Sequence, residues 1–227
     1  MSKAANLPSL LLVVAVAALA VIYKPTHLSG DGFASTTTDI VGLAEIDGLA
    51  FPSMISTQGP KQTLIGGGTR RKWNVKVYAV GFFAERKTIK ALQRKHSEGN
   101  LESRFAQDFA EHRSTKSLLL RFHRGVSSED VSDALGEALV PSVGEVNAKE
   151  FQDFLLSMLN DRVEKGSDIY ITCRGDKVFV STNGKDSSAI SMKGLSSAIF
   201  NIYLGSKPVS PPVKEGFEKA FGELIET

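Results

Sequence analysis

Apolar positions recur along this chain in three different rhythms. The first is a continuous run. Leu7 to Tyr23 is broken only by Pro8 and Ser9, and Leu10 to Tyr23 is uninterrupted for about 14 residues. As a helix rising ~1.5 Å per residue it would reach about 21 Å, short of a ~30 Å hydrocarbon core. That length fits the apolar region of a signal peptide, and Ala18-Leu19-Ala20 supplies a small-x-small cleavage pattern. Tyr23-Lys24 is equally an interfacial pair that could hold an uncleaved segment. Residues 1–24 are therefore expected to be a signal peptide or signal anchor. Delivery to the secretory pathway or to a membrane, rather than a plain cytosolic location, follows from that expectation. Residues 25–40, rich in Ser, Thr and Gly without periodicity, read as a linker, and residues 41–227 as one domain.

The second rhythm is alternation. Glu45–Phe51 and Gln62–Gly67 predict short strands, and Lys72–Ala84 predicts a long one, dense in β-branched and aromatic residues. Both faces of that long strand are mostly apolar, so it should be covered on both sides or border a cavity. Lys116–His123 predicts another strand. Asp168–Cys173 and Lys177–Thr182 predict a hairpin around Arg174-Gly175-Asp176, and Asn183-Gly184 a further turn.

The third rhythm is helical. Thr88–Lys95 is mixed, while Leu101–His112 carries Leu101, Phe105 and Phe109 on one stripe. A helix capped by Ser127 or Ser128 carries Val131, Ala134, Leu135, Ala138 and Leu139, and is expected to stop at Pro141. Glu150–Val163, Lys193–Leu204 and Pro211–Ile225 complete the set. Strands and helices come in groups rather than in βαβ alternation, which predicts an α+β domain with helices on an antiparallel sheet.

Composition narrows the function. A chain of 227 residues, 42% hydrophobic and 23% charged, can build a core, and its net charge of +2 is too small to point to nucleic acid. The single cysteine, Cys173, excludes an intramolecular disulfide and a thiolate metal cluster, and its strand context makes it a core residue. The four histidines His27, His96, His112 and His123 show no metal-ligand spacing, so neither metal nor other cofactor is expected. No G-x-S-x-G motif supports a hydrolase triad. Gly66-Gly67-Gly68 lacks the Gly-Lys-Ser/Thr ending of a phosphate loop and runs into a strand, so a bend or a close backbone approach is expected there. What remains is Thr69-Arg70-Arg71-Lys72 followed by Tyr78. Three adjacent cations can be a solvated hairpin tip. Arg70, reached through a glycine-rich turn, can also enter an apolar cavity beside the Tyr78 hydroxyl and clamp a carboxylate or enolate.

Leu64-Ile65-Gly66-Gly67-Gly68-Thr69-Arg70-Arg71-Lys72, running into Val75-Lys76-Val77-Tyr78-Ala79-Val80-Gly81-Phe82, resembles the chalcone isomerase-like superfamily, in which a G-x-G-x-R turn precedes a K-V-Y-A-x-G-L-Y strand. Tyr203-Leu204-Gly205-Ser206-Lys207-Pro208-Val209-Ser210 resembles that family's Y/W-L-G-x-x-P-V-S segment, and residues 165–168 and 180–185 fit its last hairpin. The resemblance covers roughly Ala44 to Leu224. It implies an open-faced β-sandwich, with a large antiparallel sheet, a helical layer and a ligand cleft between them. In the plant isomerases the arginine stabilises negative charge as a chalcone cyclises; in the fatty-acid binders it holds a carboxylate together with a tyrosine.

Arg70 falls on the family arginine and Tyr78 where the fatty-acid binders carry their tyrosine. Ser127 and Ala134 stand about where the isomerases supply a tyrosine and an asparagine. The resemblance thus implies a non-catalytic binder of fatty acid or a similar apolar carboxylate, with Arg70, Tyr78 and Ser127 as ligand contacts. The alternative is an intramolecular lyase acting on a flavonoid-like substrate, with Arg70 as its catalytic residue. The expected partner in both cases is a small apolar molecule, with membrane association through the N-terminal segment.

Overall fold

The computed structural model describes residues 43–97, 104–185 and 187–225, so the expected leader and linker lie outside the described residues. Five strands come first: β1 (Leu43–Ile46), β2 (Leu49–Pro52), β3 (Met54–Ile55), β4 (Gln62–Lys72) and β5 (Val75–Glu85). Helices α1 (Arg86–Ser97) and α2 (Phe105–Glu111) lead to β6 (Lys116–Phe122) and β7 (Val126–Ser127). Then follow α3 (Ser128–Val143), α4 (Glu145–Met158), β8 (Arg162–Val163), β9 (Asp168–Arg174), β10 (Lys177–Thr182) and β11 (Ser187–Ser191). Helices α5 (Leu195–Leu204) and α6 (Pro211–Ile225) close the chain. Seven strands form one antiparallel sheet in the order β11-β10-β9-β6-β5-β4-β3, and the helices segregate from it, as an α+β domain requires. Among the described residues no helix is long and apolar enough to cross a membrane.

Both apolar faces of β5 are covered. Val80 and Phe82 join Leu118 and Leu120 in the core beneath the helices, with Phe200, Phe217 and Phe221. Ala79 and Phe83 join Leu119 and Tyr170 on the opposite face, under Phe51 and Ile55. Arg121 ties that opposite layer down. Its Nε and Nη2 donate to the two Asp168 carboxylate oxygens at 2.7 and 2.6 Å, Nη1 donates to the Ala50 carbonyl, and the guanidinium lies over Phe51.

Several boundaries differ from the expectation, each for a local reason. The expected strand Glu45–Phe51 is a hairpin, because Asp47 and Gly48 adopt φ of 52° and 88°, the geometry of a two-residue turn. The expected strand Lys72–Ala84 is cut by a second such turn at Trp73-Asn74, with φ of 52° and 63°. The glycine triplet is not a turn: it lies inside β4, which continues to Lys72. α3 runs through Pro141 to Val143 and ends at Gly144 (φ 80°); Pro141 forfeits a bond to the carbonyl of exposed Glu137, which water can satisfy. α4 starts at Glu145, five residues earlier than expected, and ends at Met158, while Val163 pairs with Val126. β11 pairs with β10 although Ser187–Ser191 carries little strand signal. Leu101 lies outside the described residues.

The triplet instead accommodates α6. A Cβ on Gly66 would stand 2.5 Å from Ala220 Cβ, and one on Gly68 2.5 Å from the Pro212 carbonyl oxygen. From the helix side, a Cβ on Gly216 would collide with the Gly67 carbonyl oxygen. The expected close backbone approach is therefore between helix and strand. We expect Gly68→Ala to lower stability by about 1–3 kcal/mol through overpacking. Gly222→Ala, in the same helix with open space around its Cβ, should raise it by about 0.5–1 kcal/mol. Urea midpoints measure both.

Lys116 is fully buried. Its Nζ donates to the carbonyls of Phe109 (2.8 Å) and Ala110, at the end of α2, and lies 4.4 Å from the Phe200 ring centroid. Burial lowers its pKa to about 8. The unfolded chain, with lysine near 10.4, binds the proton that the native state releases between these values, so stability rises as pH rises through that window. From pH 8 to 9 this contribution is about 1 kcal/mol. Denaturation at the two pH values should show the rise, reduced by the opposing titration of buried Cys173, and Lys116→Met should remove the Lys116 part.

Candidate functional site

β4 and β5 are irregular at two places, and the second builds the site. Leu64 pairs with Phe83 and Gly66 with Phe82, leaving Ile65 as an extra residue; Arg70 pairs with Tyr78 and Arg71 with Lys76, leaving Val77 extra. Bulges of this kind re-aim side chains. Here the bulge lets both Val77 and Tyr78 line one cleft of about 450 Å³, together with Val75, Val126, Val131 and Ala134. Arg70 reaches into the same cleft, whose other polar boundary is formed by Lys72, Arg124, Asp130, Arg162 and Ser127.

Arg70 Nη1 donates to Tyr78 Oη at 2.9 Å, and Tyr78 Oη lies 2.8 Å from Tyr203 Oη. Arginine can only donate, so Tyr78 accepts from it, and the two phenols share a second hydrogen bond. Tyr203 is fully buried on α5. Burial, then Tyr78, raises its pKa well above the ordinary phenol range, so it stays neutral. Burial opposes the charge on Arg70, but Tyr78 and then Tyr203 outweigh it, and its pKa is raised overall. Among the described residues no carboxylate forms an ion pair with Arg70. Behind the tyrosines the interior is filled: Phe82 meets Phe217, Phe200, Tyr203 and Phe109 at ring centroid distances of 5.1–6.4 Å. The cleft is therefore closed at its arginine end by aromatic packing.

The sequence-based candidates come together unevenly. Arg70 and Tyr78 are in direct contact. Ser127 lines the cleft, but its Oγ caps α3 by accepting from the Asp130 N–H at 3.1 Å. Tyr203 was not among the expected contacts. It lies within the C-terminal segment quoted above, and the remaining signal, a buried helix ending in a tyrosine, is one that any core helix could carry. The rim cations Arg124 and Arg162 were not expected at the cleft either, since they lie 38 residues apart in sequence, Arg124 between β6 and β7 and Arg162 in β8.

A family model for chalcone isomerase-like proteins matches residues 43–217. The chain belongs to the chalcone isomerase-like family. Among solved structures, this chalcone isomerase-like domain is similar to a fatty-acid binding protein of Arabidopsis thaliana, at a TM-score of 0.61 and 20% sequence identity. The alignment covers 79% of this chain and 96% of that one, and establishes the shared fold. No curated protein sequence matches this chain.

The chain of phenols makes Tyr78 and Tyr203 a coupled pair. Tyr203→Phe should cost about 1 kcal/mol of stability, and Tyr78→Phe about 1–3 kcal/mol, because it strips a partner from both Arg70 and Tyr203. In a double-mutant cycle read by urea denaturation, the two substitutions should be non-additive by about 1 kcal/mol. Additivity would show that the hydroxyls do not interact.

Proposed function

We propose that this protein binds an apolar carboxylate, of which a fatty acid is the simplest kind, without transforming it. The observation that carries this reading is a half-buried guanidinium held by phenols instead of by a carboxylate. Such a group keeps donors and positive charge for an incoming anion, and a planar carboxylate fits its fork. Tyr78 orients the guanidinium, Tyr203 orients Tyr78, and the valines of the cleft give an acyl chain an apolar wall. A volume of about 450 Å³ suits a small amphipathic ligand. Ser127, with its oxygen committed to the helix cap, contributes at most its hydroxyl proton to a ligand.

The uncompensated charge on Arg70 would also stabilise an enolate, as an intramolecular lyase requires. Ser127 and Ala134, which also line the cleft, are small and bring no aromatic hydroxyl, which favours the binding reading. We further propose that the apolar segment within residues 1–24 directs the domain to the secretory pathway or holds it at a membrane, near a source of acyl chains.

Full-length protein recovered from the membrane fraction of its own cells should carry extractable fatty acid. Arg70→Ala should fractionate identically but lose about 10–100-fold in affinity, the equivalent of about 1.5–3 kcal/mol for a charged hydrogen bond. Recovery from the cytosol would remove the localisation reading alone. Wild-type protein that is empty, and that accelerates chalcone cyclisation through Arg70, would replace binding with catalysis.

A further inference from the structure

The tip of the β4–β5 hairpin carries a side chain for which the fold has no use. Trp73 is 89% exposed and occupies the first position of the two-residue turn at φ 52°. That conformation disfavours bulky residues, and turns of this type favour Asn or Gly. The indole therefore costs backbone strain and gains no burial. It stands at the mouth of the cleft beside Val75, itself 45% exposed.

The same mouth is basic. Of the charged residues lining the cleft, Arg70, Lys72, Arg124 and Arg162 face one carboxylate, Asp130. Lys72, Arg124 and Arg162 are exposed, and the ion pair of Arg162 with Glu164 is long, at 3.8 Å. Nearby, Asp47 is already engaged by Arg71 at 3.4 Å and by Lys76 at 2.6 Å. Over the whole chain the charges nearly cancel, to +2, so this rim is a local concentration.

We infer that this tip is a docking surface for an anionic lipid bilayer, with Trp73 and Val75 entering the interfacial layer and Lys72, Arg124 and Arg162 meeting headgroup phosphates. Tryptophan favours the water–lipid boundary, where its ring is half solvated. Each Lys or Arg near an anionic surface adds about a fivefold gain in binding, the equivalent of about 1 kcal/mol. A fluid anionic surface needs no complementary shape, which suits an aromatic tip beside cations from separate segments of the chain. The contact is distinct from the N-terminal segment and needs no occupant in the cleft, so it stands or falls apart from the ligand proposed above.

Trp73 is the only tryptophan in the chain, so its emission reports on the tip whatever the N-terminal segment does. Full-length protein is mixed with vesicles of phosphatidylcholine, with or without phosphatidylglycerol. With the anionic vesicles the emission should shift to the blue and become protected from iodide, and added salt should reverse both. Lys72→Gln and Arg124→Gln should each weaken the effect about fivefold. Protein that sediments with anionic vesicles while Trp73 keeps its solvent-exposed emission would overturn the inference. So would an equal shift on phosphatidylcholine alone, insensitive to the two substitutions.

Discussion

The absence of β-carbons from Gly66 and Gly68, in the middle of β4, is the constraint on which the rest of the molecule depends. Gly66 and Gly68 let α6 approach the sheet backbone more closely than any side chain would permit, with Gly216 meeting the Gly67 carbonyl from the helix side, whereas a Cβ on Gly67 would strike the Val80 carbonyl of β5. Close approach brings Phe217 and Phe221 onto the sheet, where Phe217 packs at 5.1 Å from both Phe82 and Phe109. It also seats the start of α6 beside the end of the triplet, where Ser210 Oγ lies 3.5 Å from the Thr69 carbonyl. Arg70 is the next residue. The position of the candidate ligand group is thus inherited from helix–sheet packing, and a methyl group in the triplet would move both.

Buried charge is handled in two ways in this fold. Asp168 neutralises Arg121 through a two-pronged ion pair that pins the outer hairpin. Lys116 and Arg70 instead receive only neutral partners: two helix-terminal carbonyls for Lys116, and two linked phenols for Arg70. The carbonyls at a helix C-terminus carry partial negative charge and welcome a cation, so Lys116 completes a structural contact. At Arg70 the tyrosines outweigh burial but supply no counter-ion. A site held short of full neutralisation in a partly dry environment is suited to a transient anion, because the incoming charge meets a group that is already desolvated and oriented.

The cleft has a polarity of its own. Its inner end is sealed by aromatic rings around Phe82, its walls are valines, and its mouth is open and basic. A ligand of the kind proposed, with its anion at Arg70, would extend along the valines of the cleft. The bulge at Val77 produces this geometry, since it places a valine and a tyrosine of adjacent number on the same cavity.

Local pattern was enough for most of the helices and strands and for the α+β class, because periodicities of 3.6 and 2 depend only on which side of an element faces the core. It was enough, too, to single out Arg70 and Tyr78, a cation and a phenol entering an otherwise apolar stretch. It failed where conformation depended on neighbours distant in sequence. The glycine triplet left a bend and a close backbone approach both open, because the choice between them is set by a helix about 150 residues later. The turn at Trp73-Asn74 was hidden because a bulky residue occupies a position it normally avoids. Ser187–Ser191 became a strand only because β10 offered an unpaired edge. Above all, Tyr203 joined the site because α5 crosses the sheet at Tyr78, 125 residues away in sequence. The sequence by itself determined most of the elements and the class of fold, and singled out Arg70 and Tyr78 as candidates, both of which line the cleft. Tertiary structure alone decided their hydrogen-bond partners and the shape of the cleft, because those arise from contacts that no local window contains.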